Sequence, residues 1–149
     1  EGGPAQVDLR EAMDRAVARW KERAGDRDST VVSRGDGGSA RVDPTDLDQI
    51  LDNLLDNATA YAPGEGTIES GGLNSRLFVA VQDQGPGIAS DDLARVTERF
   101  YRGRGAPSGG SGLGLAIARQ LAEKWGGTLS VESIGGEGTR VEVRLDAAP

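Results

Sequence analysis

The chain has 149 residues, a net charge of −7, 36% hydrophobic and 4% aromatic content, and neither Cys nor His. That length suits one compact domain with a core of Leu, Val, Ile and Ala. The missing residue types exclude disulfides, thiolate or imidazole metal ligands and an internal phosphohistidine, and the acidic balance argues against nucleic acid, whose phosphates need a basic face.

No signal peptide and no apolar stretch of membrane-spanning length is visible. Residues 1–6 read as linker and 7–149 as one domain without internal repeats. Leu9, Met13, Ala16, Val17 and Trp20 recur near helical spacing, which predicts an amphipathic helix from Val7 to Ala24, ended by Gly25. Thr30–Val32 and Ala40–Val42 read as short strands around a turn at 34–39. Asp43-Pro44-Thr45-Asp46 is a helix start. Asp43 can cap, Pro44 suits the first helical position and Asp46 favours the positive end of the dipole. That helix runs to about Tyr61, with Leu47, Ile50, Leu51, Leu54, Leu55 and Ala58 as its apolar stripe.

Thr67–Ser70 and Arg76–Gln82 predict a hairpin around Gly71-Gly72-Leu73-Asn74. Leu77–Val81 is nearly all apolar, as in a strand buried on both faces. Asp91–Arg99 reads as a short helix. Arg102–Gly110 has no apolar period and is rich in Gly, Ala and Ser, so mobility is expected there. Leu113, Ile117, Leu121 and Trp125 form an i, i+4 ladder on a helix that Gly126-Gly127 stops. Leu129–Glu132 and Thr139–Leu145 are strands around a Gly-rich turn, the second with one wet face. Helices with a mixed, mostly antiparallel sheet make an α+β two-layer sandwich.

Asn53, Asn57 and Tyr61 recur every four residues and share one helix face. They read equally as a polar solvent face or as ligands. Asn competes with the helix backbone for hydrogen bonds, and its amide oxygen is a hard donor suited to Mg²⁺, which takes its remaining ligands from waters and phosphates. Asp83-Gln84-Gly85-Pro86-Gly87 follows the buried strand. It is either an ordinary turn or a loop whose carboxylate accepts from an adenine amino group while Gly85 and Gly87 let the backbone approach the base. Gly109–Gly114 precedes a helix and has the parts of an anion site, without the Lys-Ser/Thr ending of a Walker A loop. Phe100-Tyr101 is an aromatic pair that can anchor its loop to the core. Arg95, Arg99, Arg102 and Arg104 around it offer a local positive field over phosphates, or are solvated loop arginines.

The runs DNLLDNATAY (52–61), DQGPGI (83–88), GGSGLGLAIA (109–118) and GGEGTRVEV (135–143), in this order, resemble the N, glycine and F boxes of the sensor histidine kinase catalytic domain. Its wider superfamily includes DNA gyrase, the Hsp90 chaperones, MutL and the anti-sigma serine kinases. The resemblance covers about Val7 to Leu145. It implies a Bergerat-type ATP site, with helices on one face of the sheet. Asn57 matches the Mg²⁺-binding Asn, Asn53 its partner one turn earlier, and both are the implied catalytic residues. Tyr61 matches the aromatic residue beside the nucleotide, and Asp83 the adenine-recognition Asp, with Gly85, Gly87 and Ile88 in its loop. Phe100 matches the F-box Phe, with Tyr101 and Arg102 beside it. Gly110, Ser111, Gly112, Leu113, Gly114 and Leu115 match the second glycine box, and Thr139 the Thr at the adenine end. Ile88 to Gly109 would be the ATP lid.

Two departures from the family pattern stand out. Ala60 occupies a position where many members carry Lys or Arg, and Arg102 is the first candidate to replace that contact. The family's phosphoacceptor His belongs to a separate pair of dimerisation helices, expected just before Val7. The ATPases and serine kinases of the superfamily carry a Glu base at the position of Asn53, so Asn53 favours the histidine kinase over those two readings, while the intact Asn57, Asp83 and second-box glycines argue against a non-catalytic nucleotide-binding module. The resemblance implies ATP and Mg²⁺ as ligands. Its implied partners are the dimerisation helices and, through the full-length kinase, a response regulator. It implies a cytoplasmic domain, itself monomeric, of a parent anchored in the cell membrane.

Overall fold

A computed structural model describes residues 5–24, 30–35, 38–61, 65–73, 75–83, 114–134 and 138–148. In chain order these form β1 (Ala5–Asp8), α1 (Leu9–Ala24), β2 (Thr30–Gly35), β3 (Ser39–Val42), α2 (Pro44–Tyr61), β4 (Glu65–Leu73), β5 (Arg76–Gln82), α3 (Gly114–Lys124), β6 (Thr128–Ile134) and β7 (Gly138–Asp146). The short helix expected at 91–99 and the loop at 102–110 lie outside the described residues.

β2, β4, β5, β7 and β6 make one five-stranded sheet in that order, and β1 pairs with β3 in a separate two-stranded one. Only β2 and β4 run parallel; the other pairs are antiparallel. The period-2 alternation sets two rows on one face. Ile68, Val81, Val141 and Val131 lie side by side, as do Ser70, Val79, Val143 and Leu129. These rows pack against the apolar stripes of α1, α2 and α3 in a single core. The architecture is the expected α+β sandwich with a mixed, mostly antiparallel sheet.

The opposite sheet face is charged. Arg140 lies between Glu69 and Glu142 and 5.7 Å from the centre of the Phe78 ring, and Arg144 donates to Glu142 at 2.7 Å. Burial opposes ionisation of Glu142, but the hydrogen bonds from Arg144 and Arg140 win and hold its carboxyl below the ordinary glutamate value.

Several boundaries differ from the sequence reading. Ala5 and Gln6, expected in a linker, belong to β1, and α1 starts at Leu9. Val7 is buried while its neighbours in β1 are exposed, a strand pattern, and Asp8 then caps α1 by accepting from the Glu11 N–H at 3.1 Å. The signal was the capping pair Asp8 and Glu11, three residues apart. β2 and β3 are not paired with each other. β4 continues through Gly71 and Gly72 to Leu73, so the β4–β5 turn is tighter than expected. Gly71 sits opposite Phe78, and a Cβ there would come 2.6 Å from the Phe78 ring, so the aromatic ring fills the glycine's space. In β5, Val79, Ala80 and Val81 are buried, but Leu77 and Phe78 are only half-buried.

α3 shows the largest shift in packing. Its buried side chains are Leu115, Ala116, Ala118 and Ala122, while Ile117, Leu121 and Trp125 of the expected ladder are partly buried at its flank. The alanines present little bulk, which permits a close approach of α3 to the core. Its end follows the expected glycine stop. Gly126 takes φ 79°, its N–H reaches the Glu123 carbonyl at 3.0 Å, and the Gly127 N–H reaches Ala122 at 2.8 Å, a Schellman closure. A Cβ on Gly127 would collide with the Arg144 carbonyl oxygen of β7. We expect Gly127→Ala to lower unfolding free energy by about 1–3 kcal/mol in chemical denaturation, because a rigid backbone atom must move.

Candidate functional site

α2 carries the first half of the site. Asp43 caps it, accepting from the Thr45 N–H at 3.2 Å, and Leu47, Ile50, Leu51, Leu54 and Leu55 are all buried. That broad apolar arc fixes the helix's rotation. Asn53 and Asn57 emerge at its border, each half-buried. Arg19 of α1 reinforces the rotation, donating to the Asp52 carboxylate from Nε at 3.1 Å and from a terminal nitrogen at 3.0 Å.

Asn53 lies against the N-terminus of α3. A Cβ on Gly114 would stand 4.0 Å from the Asn53 Cβ, so the second-box glycine abuts the N-box asparagine. The Asn53 Nδ2 is buried and finds no hydrogen-bond partner among the described residues. A buried amide left without a partner costs about 1–3 kcal/mol, which a ligand accepting from it would recover. The amide's O and N exchange by a half-turn of the side chain, so the same place can offer a donor or a hard acceptor.

The second half sits at the end of the two interior strands β5 and β7. Asp83 follows β5 and is buried, 4% exposed. Its N–H donates to the Thr139 carbonyl at 3.0 Å, and its Oδ1 accepts from the Thr139 N–H at 3.1 Å. Thr139, at 5% exposure, is the next residue of β7 beyond the Gln82–Arg140 pair. The carboxylate is thus locked to a strand 56 residues away. By strand alternation Asp83 and Thr139 face the helices, as Val81 and Val141 do.

The site's described residues therefore fall into two pairs, Asn53 with Gly114 and Asp83 with Thr139. Leu115, expected as a nucleotide contact, has its side chain in the hydrophobic core. Tyr61 is the last residue of α2, and its side chain lies outside the described residues. So do Gly85, Gly87, Ile88, Phe100, Tyr101, Arg102, Gly110, Ser111, Gly112 and Leu113, and with them the implied lid.

Comparison with known proteins identifies the fold and the family. Residues 42–149 match the family described as histidine kinase-, DNA gyrase B-, and HSP90-like ATPase. The solved structure of the mycobacterial sensor histidine kinase MprB superposes with a TM-score of 0.82 at 31% identity, over 98% of this chain and 99% of that one. The chain belongs to this family. It is a catalytic ATP-binding domain of the sensor histidine kinase type. The sensor histidine kinase YkoH of Bacillus subtilis is 36% identical over 93% of the chain, and the sensor-like histidine kinase SenX3 of Mycobacterium tuberculosis 41% over 95%. The chain spans only 31% and 36% of those two proteins' lengths. Full-length ShkA, solved in complex with AMPPNP, superposes with a TM-score of 0.85 at 27% identity, over 99% of this chain and 32% of that one.

One cluster escaped the sequence reading. Asp46 was assigned only a dipole role and Trp125 only an apolar one. Asp46 Oδ2 accepts from Lys124 Nζ and from Trp125 Nε1, each at 2.9 Å. The Lys124 hydrogen bond, opposed by burial and aided by the indole N–H, holds the Asp46 carboxyl below the ordinary aspartate value. An acid in the first turn of α2 and Lys-Trp at the end of α3 were both visible in the sequence. Their meeting was not.

The orphaned amide makes a prediction about the empty domain. Asn53→Leu removes an unsatisfied polar group, so we expect unfolding free energy without ligand to rise by about 1 kcal/mol in equilibrium denaturation.

Proposed function

We propose that this domain binds Mg-ATP and transfers the γ-phosphoryl group to a histidine on a separate dimerisation module, in two-component signalling. The observation that carries the reading is Asn53 on α2, beside the α3 N-terminus and with a buried amide unsatisfied among the described residues. An amide cannot take a proton from water or from a serine hydroxyl. A neutral imidazole needs no such removal before it attacks. Its nitrogen forms the bond to the γ-phosphorus, the bridging oxygen leaves with its electron pair on ADP, and the ring's other N–H proton passes to solvent. This domain's tasks are then alignment and charge compensation.

The adenine end falls to Asp83. A carboxylate offers several acceptor sites, so Asp83 can accept from the adenine amino group while Thr139 and the β5–β7 pair hold it in place. The phosphate end falls to Asn53, Asn57 and the α3 N-terminus at Gly114, whose N–H groups favour anions. Asn57 is the residue assigned to Mg²⁺, and Asn53 supports it from one turn away. Two amide oxygens on one helix face fit a hard cation that draws its other ligands from phosphates and water. The metal would supply neutralisation of charge on the β- and γ-phosphates. The AMPPNP bound by ShkA is an ATP analogue, in keeping with this assignment. The relatives, named as sensor kinases, support dimerisation helices and a response regulator as partners and a membrane-anchored parent. No described helix is itself long and apolar enough to cross a membrane.

Asp83→Asn keeps an oxygen for the Thr139 N–H but offers adenine a donor in place of an acceptor. We expect it to fold like the wild type and to lose ATP affinity about tenfold or more by calorimetry. Unchanged affinity would overturn the adenine assignment. Asn57→Ala should weaken Mg-ATP binding far more than metal-free ADP binding, whereas equal losses would mean helix damage.

Incubated alone with labelled ATP, the chain should acquire no stable phosphate and hydrolyse ATP slowly, having neither a His acceptor nor a base at Asn53. Supplied with dimerisation helices of its parent, it should label a His on them, and Asn57→Ala should abolish the transfer. Vigorous hydrolysis by the isolated chain would favour the ATPase branch of the superfamily. Label on a partner's serine would favour the anti-sigma branch.

A further inference from the structure

The two halves of the site are held by different parts of the fold. Asp83 and Thr139 are tied through the sheet, while Asn53 and Gly114 meet only because α3 lies antiparallel on α2. Both helices bury apolar side chains in the common core, on α3 the small, fully buried Ala118 and Ala122. Apolar contact is non-directional and marks an axial register weakly. Hydrogen bonds to an ionised group are short and directional. At the end of the pair remote from Asn53, the Asp46 carboxylate accepts from both Lys124 and Trp125, and the Gly126 carbonyl accepts from Arg76 at 3.0 Å. An 11-residue helix is a rigid rod of about 16 Å, so the place of its C-terminus sets the place of its N-terminus.

We propose that Asp46 is a positioning residue for the phosphate half of the nucleotide site, setting the register of α3 on α2 through Lys124 and Trp125 and so the place of Gly114 beside Asn53. This rests on the nucleotide reading above. Asp46 touches no ligand in it, being seven residues, or about 10 Å, along α2 from Asn53. Loss of the clamp lets α3 shift along a smooth contact. The adenine end stays as it is, because the sheet holds it.

The test is a comparison of two ligands on the same variants, Mg-ATP by calorimetry and adenosine by NMR titration. Asp46→Ala should weaken Mg-ATP about tenfold, the effect of losing a charge-assisted tie, and change adenosine affinity less than about twofold. Trp125→Phe keeps the ring and removes only the N–H, and should show the same selectivity with a smaller loss. Asp46→Asn retains an oxygen for the indole N–H and should recover part of the Mg-ATP affinity lost in Asp46→Ala. Equal losses for both ligands would mean a general structural role and would overturn the proposal, as would unchanged Mg-ATP affinity in both Asp46→Ala and Trp125→Phe. If Asp46→Ala fails to fold, Trp125→Phe decides. A wild type that binds Mg-ATP alongside unaffected variants sinks this inference alone. A wild type that binds neither ligand sinks the nucleotide reading with it.

Discussion

Burial of α2 is the constraint on which the rest of the structure depends. Leu47, Ile50, Leu51, Leu54 and Leu55 are all at most 1% exposed, and they cover an arc wide enough to touch both helices and the sheet. A helix buried over so wide an arc has one rotation available to it. Asp52, Asn53, Asp56 and Asn57 are left at the border and on the open side. Arg19 engages Asp52 and stands 3.6 Å from Asp48, which adds a directional restraint to the apolar one. The polar residues proposed to meet phosphate and metal are thus oriented by side chains that touch neither.

The domain accepts local instability at its working edge. The Asn53 amide nitrogen is buried and unsatisfied among the described residues, at the border of the α2 apolar arc. The Asp83 carboxylate is buried and anchored by a backbone N–H of β7, which aims it. The charged sheet face behaves differently. Its Arg140–Glu142–Arg144 ladder is self-satisfied and partly solvated, and such pairs contribute modestly to stability.

Much of the fold was legible because local rules and burial agreed. The stripe on α2, its Asp43-Pro44 start and its end near Tyr61 were read correctly, as was the one wet face of β7. Where they competed, the reading failed. Val7 and Leu9 look continuous with a helical stripe, yet Ala5–Asp8 pair with β3, because a cap at Asp8 and a strand partner far along the chain outweighed the local period. Ile117, Leu121 and Trp125 have the bulk of core residues, yet Leu115 and three alanines are the buried side chains of α3, since close packing of a helix favours small residues.

The sequence by itself determined the chemistry on offer: where the amides lie, which carboxylate follows the buried strand, where glycines open the backbone, and that no imidazole is present. These depend on residue type and short spacing, which a single chain displays directly. Tertiary structure alone decided which of them meet. Asn53 finds Gly114, Asp83 finds Thr139 and Asp46 finds Trp125 across 79 residues, through strand register and helix packing. Those pairings follow from how buried surfaces close on one another, a property of the whole core that no window of sequence contains.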